Sequence, residues 1–361
     1  MKFCFVAVLI CLVSAIPALA SKTSDFNAAY REYTALVEAG KFVEAVGPAE
    51  KAYELGIDLL GSEDEQVGML ATNLGMVLFQ SEQYKPAAKW IKTAIEVFEA
   101  AYGKYDPRLI GNWIDLAAIY DKAIMPDKEQ RALRKAVKIA GENGQEYDLH
   151  RAEILMELGM ARHFSHEVDM GEPQFKAAEQ IYAARLGPTH IKAGNAVFWR
   201  GKTNMARQKY RSAEPHFVKA LEIFEQVPEA PSQFTLSAHA FLVQVYEEMG
   251  EDEKSTEHCI AAGRVQDRDP DDDFEPLYRI HPEYPYAKLD SNSEGQVIVE
   301  FTVSAQGRTK DARVVSSKGG KLFERSALEA LEKWRYAPTI RDGEPVDTAG
   351  IQTLISFKIP N

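Results

Sequence analysis

From Phe26 to Gln266 the apolar positions follow a helical rhythm, and that rhythm repeats every 42 residues. Ala52, Ala94, Ala136, Ala178, Ala220 and Ala262 stand 42 apart. Gly75, Ala117, Gly159 and Gly201 keep the same interval, and Phe42, Tyr84 and Tyr210 fall on it too, each followed three residues later by an alanine (Ala45, Ala87, Ala213). Gly61, Gly103 and Gly187 mark connections. A small residue in each of two helices lets their backbones approach closely, and the aromatic fills the space beside the contact. Gly40-Lys41 and the polar Ser81-Glu82-Gln83 mark the turns inside the hairpins. One hairpin buries only part of its apolar face, so the next stacks on it, and the pattern predicts a helical solenoid.

After residue 276 the period changes to two. Val297, Val299, Phe301 and Val303 alternate with Gln296, Ile298, Glu300 and Thr302, which predicts a strand with one buried face. Ser304 to Arg308 reads as a turn with Gly307 at its tight point, and the stretch from Thr309 as a second strand. Phe323, Ala327, Ala330, Leu331 and Trp334 form one apolar helical stripe, and Pro338 is expected to end that helix. A last strand, Ile351 to Ile359, puts Ile351, Thr353, Ile355, Phe357 and Ile359 on one face. The fold class is therefore mainly α, a solenoid followed by a small α+β domain of order β-β-α-β.

The stretch Asn73 to Glu99, NLGMVLFQSEQYKPAAKWIKTAIEVFE, resembles the tetratricopeptide repeat in its Leu-Gly, its aromatic and its spaced alanines. The common period is about 34, and the longer beat with connections such as YGKYDPRL and LGPTHIKA is similar to the kinesin-light-chain-like variety. The resemblance covers 26–266 in about six repeats and implies a right-handed α-solenoid. The third repeat departs from it: KAIMPDKEQRA carries an insertion with Pro126 in the place of the aromatic, and a distorted turn is expected there. In this family the first helix of each pair lines a concave face. That implies a groove formed by Met69, Thr72, Met76, Phe79, Met156, Met160, His163, Phe198, Lys202 and Met205. Five of the nine methionines fall there, and methionine suits surfaces that accept varied apolar partners. The groove would take an apolar peptide or helix; packing against neighbouring repeats is the alternative use of these residues.

The terminal segment, 277–361, resembles the C-terminal domain of TonB-family energy transducers. The matching residues are Tyr284-Pro285, Ala287, Glu294-Gly295, the Val297, Val299, Phe301 and Val303 strand, Gly307, Ser316, Phe323, Ala327, Ala330, Trp334-x-Tyr336-x-Pro338 and Gly343. The resemblance implies a periplasmic domain that meets outer-membrane receptors by accepting a receptor segment as an extra strand. The edge it implies is Ile351, Gln352, Thr353, Leu354, Ile355, Ser356, Phe357, Lys358 and Ile359. Cover of that edge by the chain itself or by a second copy is the alternative.

Charge and termini refine this outline. The net charge of −12 disfavours nucleic acid, whose phosphates would repel the chain. From Leu277 onward 12 basic residues face 11 acidic ones, so the negative charge lies before the terminal segment. Lys2, the uncharged apolar run after it and Ala18-Leu19-Ala20 read as a signal peptide over 1–20, cleaved before Ser21 and directing the chain to the periplasm. If uncleaved, it would anchor the chain in the inner membrane, as in a TonB-type transducer that couples a proton channel to outer-membrane receptors. Cys4 and Cys11 leave with the signal, so Cys259 has no partner and the fold rests on packing. His163 and His166, with Glu167 and Asp169 nearby, read as a surface pair rather than a metal site. The acidic run 267–276 lacks the central glycine of a calcium loop and reads as a solvated linker. No nucleophile elbow, zinc-protease helix or phosphate loop is present, so an envelope hydrolase is disfavoured. No cofactor and no metal are expected. The partners expected are envelope proteins, probed by an edge strand at one end and a solenoid groove at the other.

Overall fold

The structure is a computed structural model describing residues 17–167, 169–227, 231–266 and 274–359. The apolar leader up to residue 16 and the acidic stretch 267–273 lie outside the described residues, so most of the expected signal peptide and most of the expected linker are not among them. The chain forms two compact units, Met1–Arg185 and Leu186–Asn361.

The first unit holds the helices α1 (Pro17–Glu38), α2 (Phe42–Leu60), α3 (Glu65–Gln80), α4 (Tyr84–Tyr102), α5 (Leu109–Lys122), α6 (Pro126–Glu142), α7 (Asp148–Phe164) and α8 (Glu172–Leu186). The second continues the hairpins with α9 (Ile191–Ala206), α10 (Tyr210–Gln226), α11 (Ser232–Met249) and α12 (Asp252–Gln266). The six alanines of the 42-residue beat are all at most 1% exposed. The glycines work as the pattern predicts. A Cβ on Gly75 would lie 2.7 Å from Ile91, on Gly159 2.5 Å from Phe175, and on Gly201 2.8 Å from Phe217. The large partners are themselves 42 apart where both units can be compared, as Phe175 and Phe217 show. These three hairpins therefore divide one contact volume between a glycine on the first helix and a bulky side chain on the second.

A further series emerges from the backbone. Gly40, Glu82, Ile124, His166, Gln208 and Gly250 all have positive φ, between 56° and 73°, and they too stand 42 apart. At each, the next amide donates to the carbonyl five residues back: Lys41 to Leu36 (2.8 Å), Gln83 to Leu78 (2.8 Å), Met125 to Tyr120 (2.9 Å), Glu167 to Arg162 (3.3 Å), Lys209 to Asn204 (2.9 Å) and Glu251 to Tyr246 (2.9 Å). This is a helix-terminating Schellman turn repeated six times. Only two of the six positions carry glycine. The expected distortion at Pro126 is absent: Pro126 sits at the first position of α6, where proline's missing N–H costs nothing. The irregular hairpin is the fourth. Its second helix starts at Glu172 rather than two residues past the turn, and Met170 and Gly171 also take positive φ. Arg162 holds this longer turn by ion pairs to Glu167 (2.8 Å) and Asp169 (2.9 Å).

Ile124 is β-branched, 87% exposed and left-handed, a conformation costing such a residue about 1–2 kcal/mol. Glycine's larger unfolded-state entropy returns part of that. We expect Ile124→Gly to stabilise the first unit by about 1 kcal/mol in urea unfolding. An unchanged or lowered midpoint would show that the isoleucine side chain offsets the strain.

The terminal domain opens with the short α13 (Tyr286–Asp290), then β1 (Gly295–Val303), β2 (Thr309–Lys318), α14 (Lys321–Leu331), β3 (Thr339–Arg341), β4 (Glu344–Val346) and β5 (Thr348–Phe357). The sheet is antiparallel with order β2-β1-β5. Val297, Val299, Phe301 and Val303 are buried against Phe323, Ala327 and Leu331 of α14, as their alternation predicts. Three details differ from the sequence reading. The helix stops at Leu331, seven residues before Pro338, because tertiary bonds take the chain beyond it: Trp334 donates its indole N–H to the Ile280 carbonyl (2.8 Å), and Arg335 pairs with Tyr278 through the backbone. β3 and β4 add a hairpin around Asp342-Gly343, both of positive φ. The last strand begins earlier and ends earlier than expected, leaving Lys358 and Ile359 beyond it.

Candidate protein-binding surfaces

The sheet has two edges, and they differ in kind. β2 carries Lys310, Asp311, Arg313 and Lys318, and its register against β1 shifts twice, with Asp311 at a φ of 54°. Charge and bulges are the means by which an edge resists pairing. β5 has neither along most of its length. It contains no charged residue, and its register runs unbroken from Gly295 opposite Phe357 to Phe301 opposite Ile351. Ile355 and Phe357 face the core, at 1% and 3% exposure, while Gln352, Leu354 and Ser356 face outward. Among the described residues no strand pairs with the far side of β5. The sequence-predicted edge thus lies on an edge strand for Ile351 to Phe357. Lys358 and Ile359 fall outside it, and the Ile359 amide donates to Glu294 (3.2 Å).

The second unit also contains a contact that sequence reasoning missed. The terminal domain sits on α11 and α12. Arg335, between the two aromatics of the Trp334-x-Tyr336 motif, is 2% exposed. Its guanidinium donates to Glu247 at 2.6 Å and pairs with Asp252 at the start of α12. Arg308 reaches the same Asp252, whose carboxyl is held below its ordinary range by these two cations against the opposing effect of burial. Tyr278 donates its hydroxyl to Glu248 (3.0 Å) and Gln244 donates to the Leu277 carbonyl (3.2 Å). Gly263 leaves room for the Pro338 carbonyl, and Gly307 for Tyr336 and Cys259. The lone Cys259 is therefore a packing residue: burial pushes its thiol up to about 12, far from reactivity. A charged residue inside an otherwise aromatic, buried motif was the available signal.

Of the ten groove residues predicted on the solenoid, four are buried: Thr72, Met76, Met156 and Phe198. Thr72 accepts from Asn112 (2.9 Å) and donates to the Gly68 carbonyl (3.1 Å), and Phe198 lies edge-on to Phe217 and Phe241. The other six, Met69, Phe79, Met160, His163, Lys202 and Met205, are half-buried. Burial lowers the Lys202 ammonium, which stands 4.0 Å from the Trp199 ring centre. His163 and His166 have as neighbours two carboxylates already committed to Arg162, and among the described residues no group of three or more His, Cys, Asp or Glu is placed to hold a metal ion.

Within the first unit, Phe79 and Met160 belong to a cavity of about 860 Å³ between α3, α5, α6 and α7. Asp121, Glu129 and Glu157 share it. Burial, then the charges of Asp121 and Glu157, push the Glu129 carboxyl up to about 7; burial, then Glu153, raises Glu157. A carboxyl whose folded value lies above its unfolded one adds stability below the unfolded value and loses it as pH climbs through the folded one. For Glu129 that window runs from about 4.5 to about 7. Glu129→Gln should therefore leave the melting temperature unchanged near pH 4.5 and raise it at pH 8. Equal melting of variant and wild type at both pH values would contradict the placement of this carboxyl.

These surfaces define a class: a helical-repeat solenoid carrying a small sheet domain with one regular open edge. Residues 280–359 match the family model described as Gram-negative bacterial TonB protein C-terminal. Protein TonB of Escherichia coli (strain K12) is 39% identical over 83 residues, covering 23% of this chain and 32% of that protein. Protein TonB of Vibrio cholerae is 37% identical over 81 residues, covering 22% and 33%. The chain spans about a third of the length of these relatives. The solution structure of the Pseudomonas aeruginosa TonB C-terminal domain is 33% identical and covers 25% of this chain and 91% of that one, with a TM-score of 0.23. A kinesin light chain with nearly identical TPR-like repeats, from Podosopora anserina, is 15% identical and covers 59% and 100%, with a TM-score of 0.48. Residues 280–359 of the chain thus carry a TonB C-terminal domain, and the helices before it form a series of helical hairpins.

Proposed function

We propose that this chain is a periplasmic interaction protein of the TonB family, exported through the leader that ends at Ala20. Its terminal domain binds an outer-membrane transport or envelope protein by accepting a strand along β5, and its solenoid scaffolds a second protein. It performs no catalytic step. The observation that carries the reading is the character of β5, a neutral, regular and open edge within a TonB C-terminal domain. Unpaired backbone groups on such an edge are satisfied by an added strand, and side chains contribute less to that pairing than the backbone does.

The test uses a peptide spanning the periplasmic segment of an outer-membrane receptor. Ser356→Ala should bind it as the wild type does. Ser356→Pro removes a donor and cannot continue a ladder, so it should bind at least about tenfold more weakly. Trp334 fluorescence serves as the folding control, since that ring is buried against the terminal core. A folded Ser356→Pro variant that binds normally would rule out pairing at this position.

A further inference from the structure

The cavity in the first unit combines two features. Its walls are largely apolar, and two of the most exposed apolar side chains among the described residues, Ile124 (87%) and Phe164 (66%), stand at it. Exposed apolar surface of this kind marks a contact with another molecule. Into the same space α5, α6 and α7 each bring one carboxylate: Asp121, Glu129 and Glu157. Lys122, the one lysine or arginine lining the cavity, is already paired with Asp121 at 3.3 Å. Neither Glu129 nor Glu157 has a hydrogen bond or ion pair to another described residue. Carboxylates drawn from water without a partner are costly, and a cation placed among them removes that cost. Burial first, and then its two acidic neighbours, raise the Glu129 carboxyl.

We propose that this cavity seats a segment of another protein in which a lysine or arginine lies between apolar side chains. The cation lodges among Asp121, Glu129 and Glu157, and its apolar neighbours rest on Phe79, Met160 and Phe164. The volume, about 860 Å³, suits a few side chains rather than a single ion. This inference rests on the reading of the solenoid as a binding surface and gives that surface its chemistry.

The experiment measures binding of a short fluorescein-labelled peptide of alternating leucine and lysine to the full chain. Two companion peptides replace lysine by glutamate or leucine by serine. The lysine–leucine peptide should bind, and both companions should bind at least about tenfold more weakly. Glu129→Gln, Glu157→Gln and Phe164→Ser should each weaken the lysine–leucine peptide by about tenfold or more. Glu50→Gln, which makes the same charge change on an exposed part of α2, should leave binding unchanged. Urea midpoints establish that each variant is folded, and glutamine is nearly isosteric with glutamate. Equal binding of the lysine and glutamate peptides overturns the proposal, as does a serine–lysine peptide that binds as well as the leucine one. So does a loss in Glu50→Gln matching that in Glu157→Gln, which would reduce the effect to overall charge. If the solenoid captures an envelope protein and the three cavity variants capture it equally well, the solenoid reading stands and this inference falls.

Discussion

Arg335→Ala should destabilise the second unit by about 3 kcal/mol and leave the unfolding of the first where it was. The guanidinium is 2% exposed and Glu247 is 16% exposed, so truncating one leaves the other's charge in a place that water scarcely reaches. Breaking such a pair typically costs about 3–5 kcal/mol. The lower end applies here because the second partner, Asp252, is 61% exposed and can be hydrated. Arg335→Lys keeps the charge but cannot present one planar fork to two carboxylates, and should fall between alanine and the wild type. Urea unfolding followed through Trp334 reads the second unit, and a midpoint unmoved by Arg335→Ala would mean that the ion pairs do not hold the terminal domain to α11 and α12. The same residue bears on function. α12 contributes Asp252 and Gly263 to the surface under the terminal domain, so the strand addition proposed for β5 would take place on a domain seated on the last hairpin.

Ala178→Leu carries the second-largest expected effect. Ala178 is completely buried in α8, one turn along from Phe175, whose ring fills the space left by Gly159. Overpacking such a site typically costs about 1–3 kcal/mol. The loss should appear in the first unit alone, with the terminal domain's Trp334 signal unchanged. A wild-type midpoint would show that the 42-residue beat does not record close helix contacts. A cycle tests the same idea from the other side: Gly159→Ala should destabilise, and combining it with Phe175→Leu should cost less than the two changes added, because the leucine vacates the volume that the new methyl enters.

The solenoid was legible because its small residues recur at one interval, and close backbone approach admits few alternatives to glycine or alanine. The turns were only partly legible. Gly40 and Gly250 announce a left-handed residue, but Glu82, Ile124, His166 and Gln208 adopt the same conformation with side chains that disfavour it. The surrounding helices impose the turn, so local composition does not report it. For the same reason Pro126 reads locally as a disruption, although it occupies a first helical position where proline is well suited. In the terminal domain, alternation placed β1 and the outward residues of β5 correctly. The end of α14 was misplaced because Pro338 is a local signal, whereas the actual stop comes from Ile280 and Tyr278, more than fifty residues earlier in the chain. The charge of Arg335 inside an aromatic motif was a local signal, but neither its partners nor the carboxylates of the cavity could be found by pattern. The significance of Arg335 and of those carboxylates lies in which distant residues surround them: Glu247 and Asp252 in one case, and one another in the second.

The central claim is that β5 receives a strand, and amide hydrogen exchange tests it most directly. In the free chain, alternate amides between Thr348 and Phe357 lack a ladder partner and should exchange quickly, while those directed at β1 exchange slowly. On adding the receptor peptide, the fast set should become protected by about tenfold or more, with the amides of β2 and of the solenoid unchanged. Protection that appears along β2 or in the solenoid while the fast amides of β5 stay fast would contradict the account.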